Sequence, residues 1–348
     1  MSETRSMKCM IKDPRRKAAV KVRNGVESII DHYFETLGYE KVRTPLLVSS
    51  PGLEPHIRPF KILPACEHDE NLNLYVPTSP EFAMKRLLVG GLPKIYQITP
   101  AFRFEPESTT HLPEFTMLEW YEVNADYKTL MLRVEGLFFE LGKQLLNSSK
   151  IIYQEQQIDL SLPWTRLKIR DLFIEHLGID LFQSGKWIDL KPVCLQNQIS
   201  VSGDDTWDDL YFKLWLNCVE PKLPKDRPVF VYGYPESQAA LSVIEELSDG
   251  SRWARRFEVY VGGIELANAF EELCDPKEQR LRFEKDMKLR EKIYGNSFPA
   301  CPIDEKFMAA LEEGMPFCSG IAMGVDRLIM LFGNEPDIHY TFWIPPTL

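Results

Sequence analysis

Apolar positions recur at helical spacing over residues 14–38, with Gly38 as the stop, and predict a first long helix. Tyr39–Ser49 then alternates as a strand that Pro45 interrupts, which confines it to a sheet edge or a bulge. Ser50–Asn73 is rich in Pro, His and charge and reads as loops with short strands. Thr78 and Glu81 have the spacing of a capping box, Pro80 suits a first helical turn, and Gly90 suits a C-terminal stop.

Ile95–Tyr121 holds two β-prone runs around a polar loop at 106–113, the pattern of a long hairpin. Arg103 and Glu105, two apart, are expected on one sheet face, as are Glu119 and Tyr121 on the second run. Residues 127–147 form an amphipathic helix pattern. Residues 148–226 mix helical pieces (165–177, 206–219) with polar connections, and the acidic stretch 204–209 reads as a solvated helix start. After a buried-strand run at Val229–Tyr232, two further runs meet at Gly262-Gly263, a two-residue turn. That register sets Val261 opposite Ile264 and Tyr260 opposite Glu265, with Glu258 one diagonal step from Glu265 on the same face. Residues 277–294 read as a charged surface helix. Small residues at Ser319, Gly320, Ala322 and Gly324 end a last strand and open a helix whose first turn carries Arg327. The expected class is α+β, an antiparallel sheet flanked by helices.

Composition narrows the function classes. At 44% hydrophobic and 26% charged residues, the 348-residue chain has the makeup of a globular protein with a real core. The net charge of −10 offers no basic footprint for nucleic acid. Seven cysteines without a C-x-x-C pair read as free thiols of a reducing cytoplasm. No apolar stretch has membrane-spanning length, and Glu3 and Asp13 speak against a transit peptide.

The candidate chemistry is that of a charged ligand on a sheet. Arg103, Glu105, Glu119 and Tyr121, with His111 at the loop, suit such a floor better than a plain core. Glu258 and Glu265 would repel unless one is protonated, water separates them, or a cation such as Mg²⁺ sits between them with a ligand's phosphates. Arg327 at a helix start opposes the dipole and so answers an anion.

These segments together resemble the three signature motifs of class II aminoacyl-tRNA synthetases, in the lysyl branch. The Pro45 strand resembles motif 1. Phe102-Arg103-x-Glu105, His111 and Pro113-Glu-Phe-Thr-Met-Leu-Glu119 resemble motif 2, and Gly320-Ile-Ala-Met-Gly324-Val-Asp-Arg327-Leu resembles motif 3. The resemblance runs from about residue 15 to 335 and implies one catalytic domain over 1–348, with 148–226 as a variable connecting region and no space for an N-terminal OB-fold. Thr78-Ser-Pro-Glu-x-x-Met-Lys-Arg-Leu, Met117-Leu-Glu-Trp-Tyr, Pro235-x-Ser-Gln-Ala and Gly263-Ile-Glu-Leu-Ala-Asn are similar to the free-standing paralogues that acylate elongation factor P. Ser79 and Ala322 stand where the tRNA-charging enzymes typically carry Ala and Gly. Leu112 replaces the usual Asn after the motif 2 His, and Ala269 a common Gly.

The resemblance implies roles. Arg103 would hold the substrate carboxylate and the α-phosphate of ATP, and Arg327 the γ-phosphate. His111 would neutralise the outer phosphates, while Glu105 and Phe115 would hold adenine and Gly324 would let the nucleotide approach. Glu258 and Glu265 would coordinate Mg²⁺. Ser79, Glu81, Glu119, Tyr121, Asn268, Glu272 and Ala322 would line a pocket for lysine or β-lysine. Elongation factor P is the implied acceptor, tRNA or another acceptor the alternative, and a homodimer follows from motif 1. A non-catalytic relative would be expected to lack the arginines or the carboxylate pair that this chain keeps.

Overall fold

Both anticipated hairpins are present in the computed structural model, which describes residues 7–63, 74–295 and 301–346. The loop expectation for 64–73 and the first six residues lie outside the described residues. One nine-stranded sheet carries the fold. Its strands are β1 (Glu40–Lys41), β2 (Lys94–Phe102), β3 (Glu114–Val123), β4 (Thr165–Lys168), β5 (Val229–Pro235), β6 (Ile244–Glu246), β7 (Arg252–Val261), β8 (Ile264–Glu271) and β9 (Cys318–Gly324). The order is β1-β2-β3-β9-β8-β7-β5-β4, with β6 beside β7. The pairs β1–β2 and β4–β5 are parallel and the others antiparallel. Strand β1 is an edge of only two residues, much shorter than the run expected over 39–49, and it ends at Lys41, so Pro45 lies outside it.

Among the described residues eight α-helices of eight or more residues flank the sheet: α1 (Pro14–Thr36), α2 (Glu81–Val89), α3 (Tyr127–Leu141), α4 (Ile169–Leu177), α5 (Trp207–Leu214), α6 (Pro276–Tyr294), α7 (Glu305–Gly314) and α8 (Val325–Phe332). Alternation along the strands decides which face they cover. Leu118 and Trp120, Phe257 and Val259, and Ile321 and Met323 point to one face, where α1, α3 and α8 close the main core. Trp120 is fully buried with the Phe34 ring 5.0 Å away, a packing whose truncation to Ala costs about 3–5 kcal/mol. On the other face, α2, α6 and α7 build a smaller core around Phe82, Phe283 and Phe307, which shields one end and leaves the rest for chemistry.

The 148–226 region holds α4 and α5 and packs a third core against β5 and β7. Its acidic stretch is a helix start: Thr206 and Asp209 cap α5 reciprocally, and Asp205 pairs with Lys213. The expected surface helix α6 is less solvated than its charge suggests. Phe283 and Arg290 are buried, and Arg290 donates to the Glu54 and Ile57 carbonyls. Six cysteines among the described residues are free thiols. No described helix is long and apolar enough to cross a membrane.

Candidate functional site

One rung across the sheet aligns Glu258, Asn268, Ala322, Glu119 and Gln97 on neighbouring strands. Directly paired residues share a face, so this rung lies opposite the main core. The next rung on that face runs Arg256, Phe270, Gly320, Tyr121 and Ile95. The Gly262-Gly263 turn closes β7 onto β8 with both glycines at positive φ, and Tyr260 meets Glu265 as the turn count predicted. Pairing then slips by one residue between Tyr260–Glu265 and Val259–Ala267, leaving Leu266 extra. This bulge reverses the phase of β8, so Glu265 and Asn268, of opposite parity, both face the site.

One end of this face is acidic. Glu119 is buried and accepts from the Ser79 hydroxyl at 2.7 Å and the Tyr121 hydroxyl at 2.6 Å. Burial and the neighbouring Glu81 charge push its carboxyl up to about 7. Glu81 pairs with Lys85 at 2.5 Å, and the same ammonium lies 2.6 Å from Glu272 Oε2, an ion pair rather than an aligned hydrogen bond. Glu272 is 1% exposed, and its other oxygen is buried with no donor among the described residues. Burial raises its carboxyl to about 8, against the opposing pull of Lys85. Gly320 keeps this end open: a Cβ there would overlap the Tyr121 ring and lie 2.6 Å from Glu272 Oε1. A cavity of about 140 Å³ lined by Ser79, Glu81 and Glu54 adjoins it. A larger hollow, about 350 Å³ around Tyr127, Arg166 and Tyr232, touches none of the predicted residues.

The other end is basic. Arg103 lies 5.2 Å over the Phe115 ring, and among the described residues it makes no ion pair and its buried Nε has no partner. A guanidinium so placed is prepared for an anion. Arg327 donates to the Glu265 carbonyl at 2.7 Å, the Thr110 carbonyl at 3.2 Å and His111 Nε2 at 2.7 Å. No carboxylate among the described residues pairs with it. Its neighbour Asp326 binds Arg23 and accepts from the Thr116 N–H at 2.6 Å, which pins the start of α8 to β3 and aims Arg327. Gly324 is the N-cap of that helix, beside Arg327. Because His111 Nε2 accepts, its proton sits on Nδ1, near the Ser108 and Thr110 hydroxyls. Burial and the Arg327 charge hold His111 below its usual value, so as placed it is a neutral partner rather than a cation.

Between the two ends stand Glu258 and Glu265. Glu258 accepts from Arg256 at 2.5 Å and from Tyr260 at 2.8 Å. Solvent reaches Glu265 from the cleft, yet desolvation by crowded neighbours and the Glu258 charge raise its carboxyl to about 7. The upward direction follows from Glu258 alone. These hard oxygens suit a divalent cation, and no cluster of three potential ligands exists among the described residues, so its remaining ligands would be water and a bound substrate.

Two local expectations are corrected. Strand β2 stops at Phe102, so Glu105 lies in the loop, its N–H bonded to the Arg103 carbonyl at 2.9 Å, and does not share a strand face with Arg103. Thr78 does not form a capping box: its hydroxyl donates to the Pro51 carbonyl, and Ser79 accepts the Glu81 N–H. Leu112 is a core residue, 4% exposed, and contributes no polar contact to the site. Sequence reasoning missed Lys85 and Arg256. Lys85 left one signal, its i, i+4 spacing from Glu81. Arg256 donates to Asn268 at 3.1 Å and to Glu258, and so orients both.

The sequence profile of the class II tRNA synthetases (D, K and N) matches residues 2–347. The elongation factor P–(R)-β-lysine ligase of Klebsiella pneumoniae (strain 342) is 39% identical over 312 residues, 89% of each chain. That of Proteus mirabilis (strain HI4320) is 40% identical over 311 residues, 88% of each. The lysine–tRNA ligase of Bacillus subtilis (strain 168) is 35% identical over 337 residues, 97% of this chain but 65% of that protein.

Proposed function

Because the chain belongs to the class II tRNA synthetases (D, K and N), we propose that it is an ATP-dependent, AMP-forming ligase that joins (R)-β-lysine to a lysine of elongation factor P. The observation that carries the reading is the half-buried Arg103, its Nε unpartnered among the described residues, at the basic end with the Arg327–His111 pair and opposite an acidic pocket. A diamino acid presents ammonium groups to Glu81, Glu119 and Glu272 and its carboxylate to Arg103. Nucleoside triphosphate extends from Arg103 toward Arg327, with adenine against Phe115 and Glu105. The names of the relatives support the acyl group and the acceptor.

In the first step a carboxylate oxygen attacks the α-phosphorus, the bond to the β-phosphate oxygen breaks, and pyrophosphate leaves. In the second an acceptor amine attacks the acyl carbon, the bond to AMP breaks, and the nitrogen gives up a proton. No enzyme nucleophile is required, so these residues act by positioning and by stabilising charge. Arg103 bridges both reacting groups with fixed parallel donors. Glu258 and Glu265 would hold Mg²⁺, which neutralises phosphate charge when bound. Arriving phosphate competes for the Arg327–His111 contact, and negative charge there favours the protonated ring. The reading places the protein in the cytoplasm, as a homodimer built on motif 1.

Pyrophosphate exchange with ATP tests the first step, with (R)-β-lysine expected to outperform α-lysine. Addition of elongation factor P or tRNA(Lys) then identifies the acceptor. Efficient charging of tRNA(Lys) without transfer to the protein overturns the reading.

A further inference from the structure

Lys85 is the one buried lysine among the described residues, 1% exposed on α2. Its ammonium joins Glu81, one helical turn earlier, to Glu272, which follows β8, and the Phe307 ring lies 5.9 Å away. Burial alone would discharge this amine, but Glu272 and Glu81 outweigh that and hold it protonated. It is thus a fixed positive charge inside the acidic end of the site. The three carboxylates there are not equivalent. Both Glu119 oxygens already accept from Tyr121 and Ser79, whereas Glu272 Oε1 is buried and has no donor among the described residues. A buried, unpaired carboxylate oxygen is costly unless a cation arrives to meet it.

Charge counting makes this specific. Burial raises Glu119 and Glu272 toward neutrality while the pocket is empty, and arriving ammonium groups favour their ionised forms; in that fully ionised state Glu81, Glu119 and Glu272 with Lys85 carry a net of two negative charges. One ligand ammonium leaves a surplus anion in a dry pocket, and two ammonium groups neutralise it. We propose that Lys85 is a positioning residue that sets this count at two and holds Glu272 so that its free oxygen meets the second ammonium of a diamino acid. The inference rests on the adenylation reading above. Its rival is a purely architectural lysine that ties α2 to the end of β8.

The full-length protein and two variants, Lys85→Met and Lys85→Gln, separate these roles. The first keeps the volume without charge. The second keeps donors for both carboxylates without charge and guards against collapse of the first. Exchange kinetics are measured with amino acid and ATP varied separately, and norleucine, which lacks the second ammonium, is titrated as an inhibitor. The expected result is an amino-acid KM raised at least tenfold, an ATP KM within twofold, and kcat within threefold. Discrimination of lysine-type substrates over norleucine should fall by a similar factor. An amino-acid KM within threefold of wild type in a folded variant overturns the inference and leaves the adenylation reading standing. So does a parallel rise of both KM values with a lowered melting temperature, the mark of an architectural role. Wild-type protein without any amino-acid-dependent exchange overturns the reading and the inference together.

Discussion

Gly320→Ala places a single methyl group at the point where Tyr121 and Glu272 meet. The glycine has ordinary backbone angles, so the effect is one of space rather than strain. Its Cβ would overlap the Tyr121 ring and stand 2.6 Å from Glu272 Oε1. Neither neighbour is the loose end of a flexible chain: Tyr121 is 2% exposed and Glu272 1%. Overpacking a dense core costs about 1–3 kcal/mol. Shifting the ring also weakens the Tyr121–Glu119 hydrogen bond of 2.6 Å, a bond to a charged group worth about 1.5–3 kcal/mol. The two terms overlap because one movement causes both. A loss of about 2 kcal/mol in amino-acid binding, at about 1.4 kcal/mol per decade, raises the amino-acid KM roughly 30-fold. Arg103, Phe115, His111 and Arg327 belong to the opposite end of the face, so the ATP KM should stay within twofold. Exchange kinetics with each substrate varied in turn, beside a thermal melt, give the answer. An unchanged amino-acid KM in a folded variant would refute the placement of Tyr121 and Glu272 in the pocket.

Two other perturbations address separate parts of the molecule. Arg103→Lys keeps a charge but loses the fork and the contact with Phe115, and should slow exchange by about 10²–10³-fold. Since its buried Nε satisfies no partner now, thermal stability should not fall; retained rate with lost stability would contradict the anion role. Glu122→Gln tests the seam between the α1–β1 turn, β2, β3 and α3: Glu122 accepts from Tyr39 at 2.6 Å and Arg133 at 2.9 Å, and pairs with Lys94 at 3.0 Å. Burial pushes its carboxyl up, but these donors outweigh burial and hold it at about 2 against an ordinary 4.5. Its stabilisation is therefore full above pH 4.5 and lost as pH falls through about 2. With Lys94 and Arg133 partly exposed, the expected deficit near neutrality is about 2 kcal/mol. Melts of both proteins should converge in acid, and a pH-independent gap would refute the ionic origin.

Period-two alternation and local turn chemistry account for what was legible in the sequence. The Gly-Gly turn fixed the Tyr260–Glu265 pairing because that register depends on residues adjacent in the chain. Half of the charged face of the central hairpin was readable for the same reason, since Glu119 and Tyr121 share a strand, whereas Arg103 and Glu105 lie beyond the end of β2. Counting failed where the chain answered distant partners. Thr78 was drawn to the Pro51 carbonyl, Pro80 became the N-cap, and Ser79 took the Glu81 N–H instead. Helix α6 looked solvated because only its charges were visible, while the carbonyls that bury Arg290 belong to the loop at 54–57. Lys85 gave half its meaning through Glu81 and none through Glu272, a partner from another element of the fold.

The bulge at Leu266 shows why parity alone could not assemble the whole site. Counting from the turn reaches Glu265 correctly, but two further steps along β8 would place Ala267 on the same face. In the fold Ala267 belongs to the main core and Asn268 joins the rung with Glu258, Ala322 and Glu119. The inserted residue thus lets one short strand serve both ends of the site, a carboxylate beside Arg327 near the turn and an amide toward the acidic pocket beyond it. Leu266 can take this position because its side chain is itself buried in the main core, 3% exposed. Packing on the covered face therefore stabilises the register that the uncovered face needs, and the site's geometry is held from the side that does no chemistry.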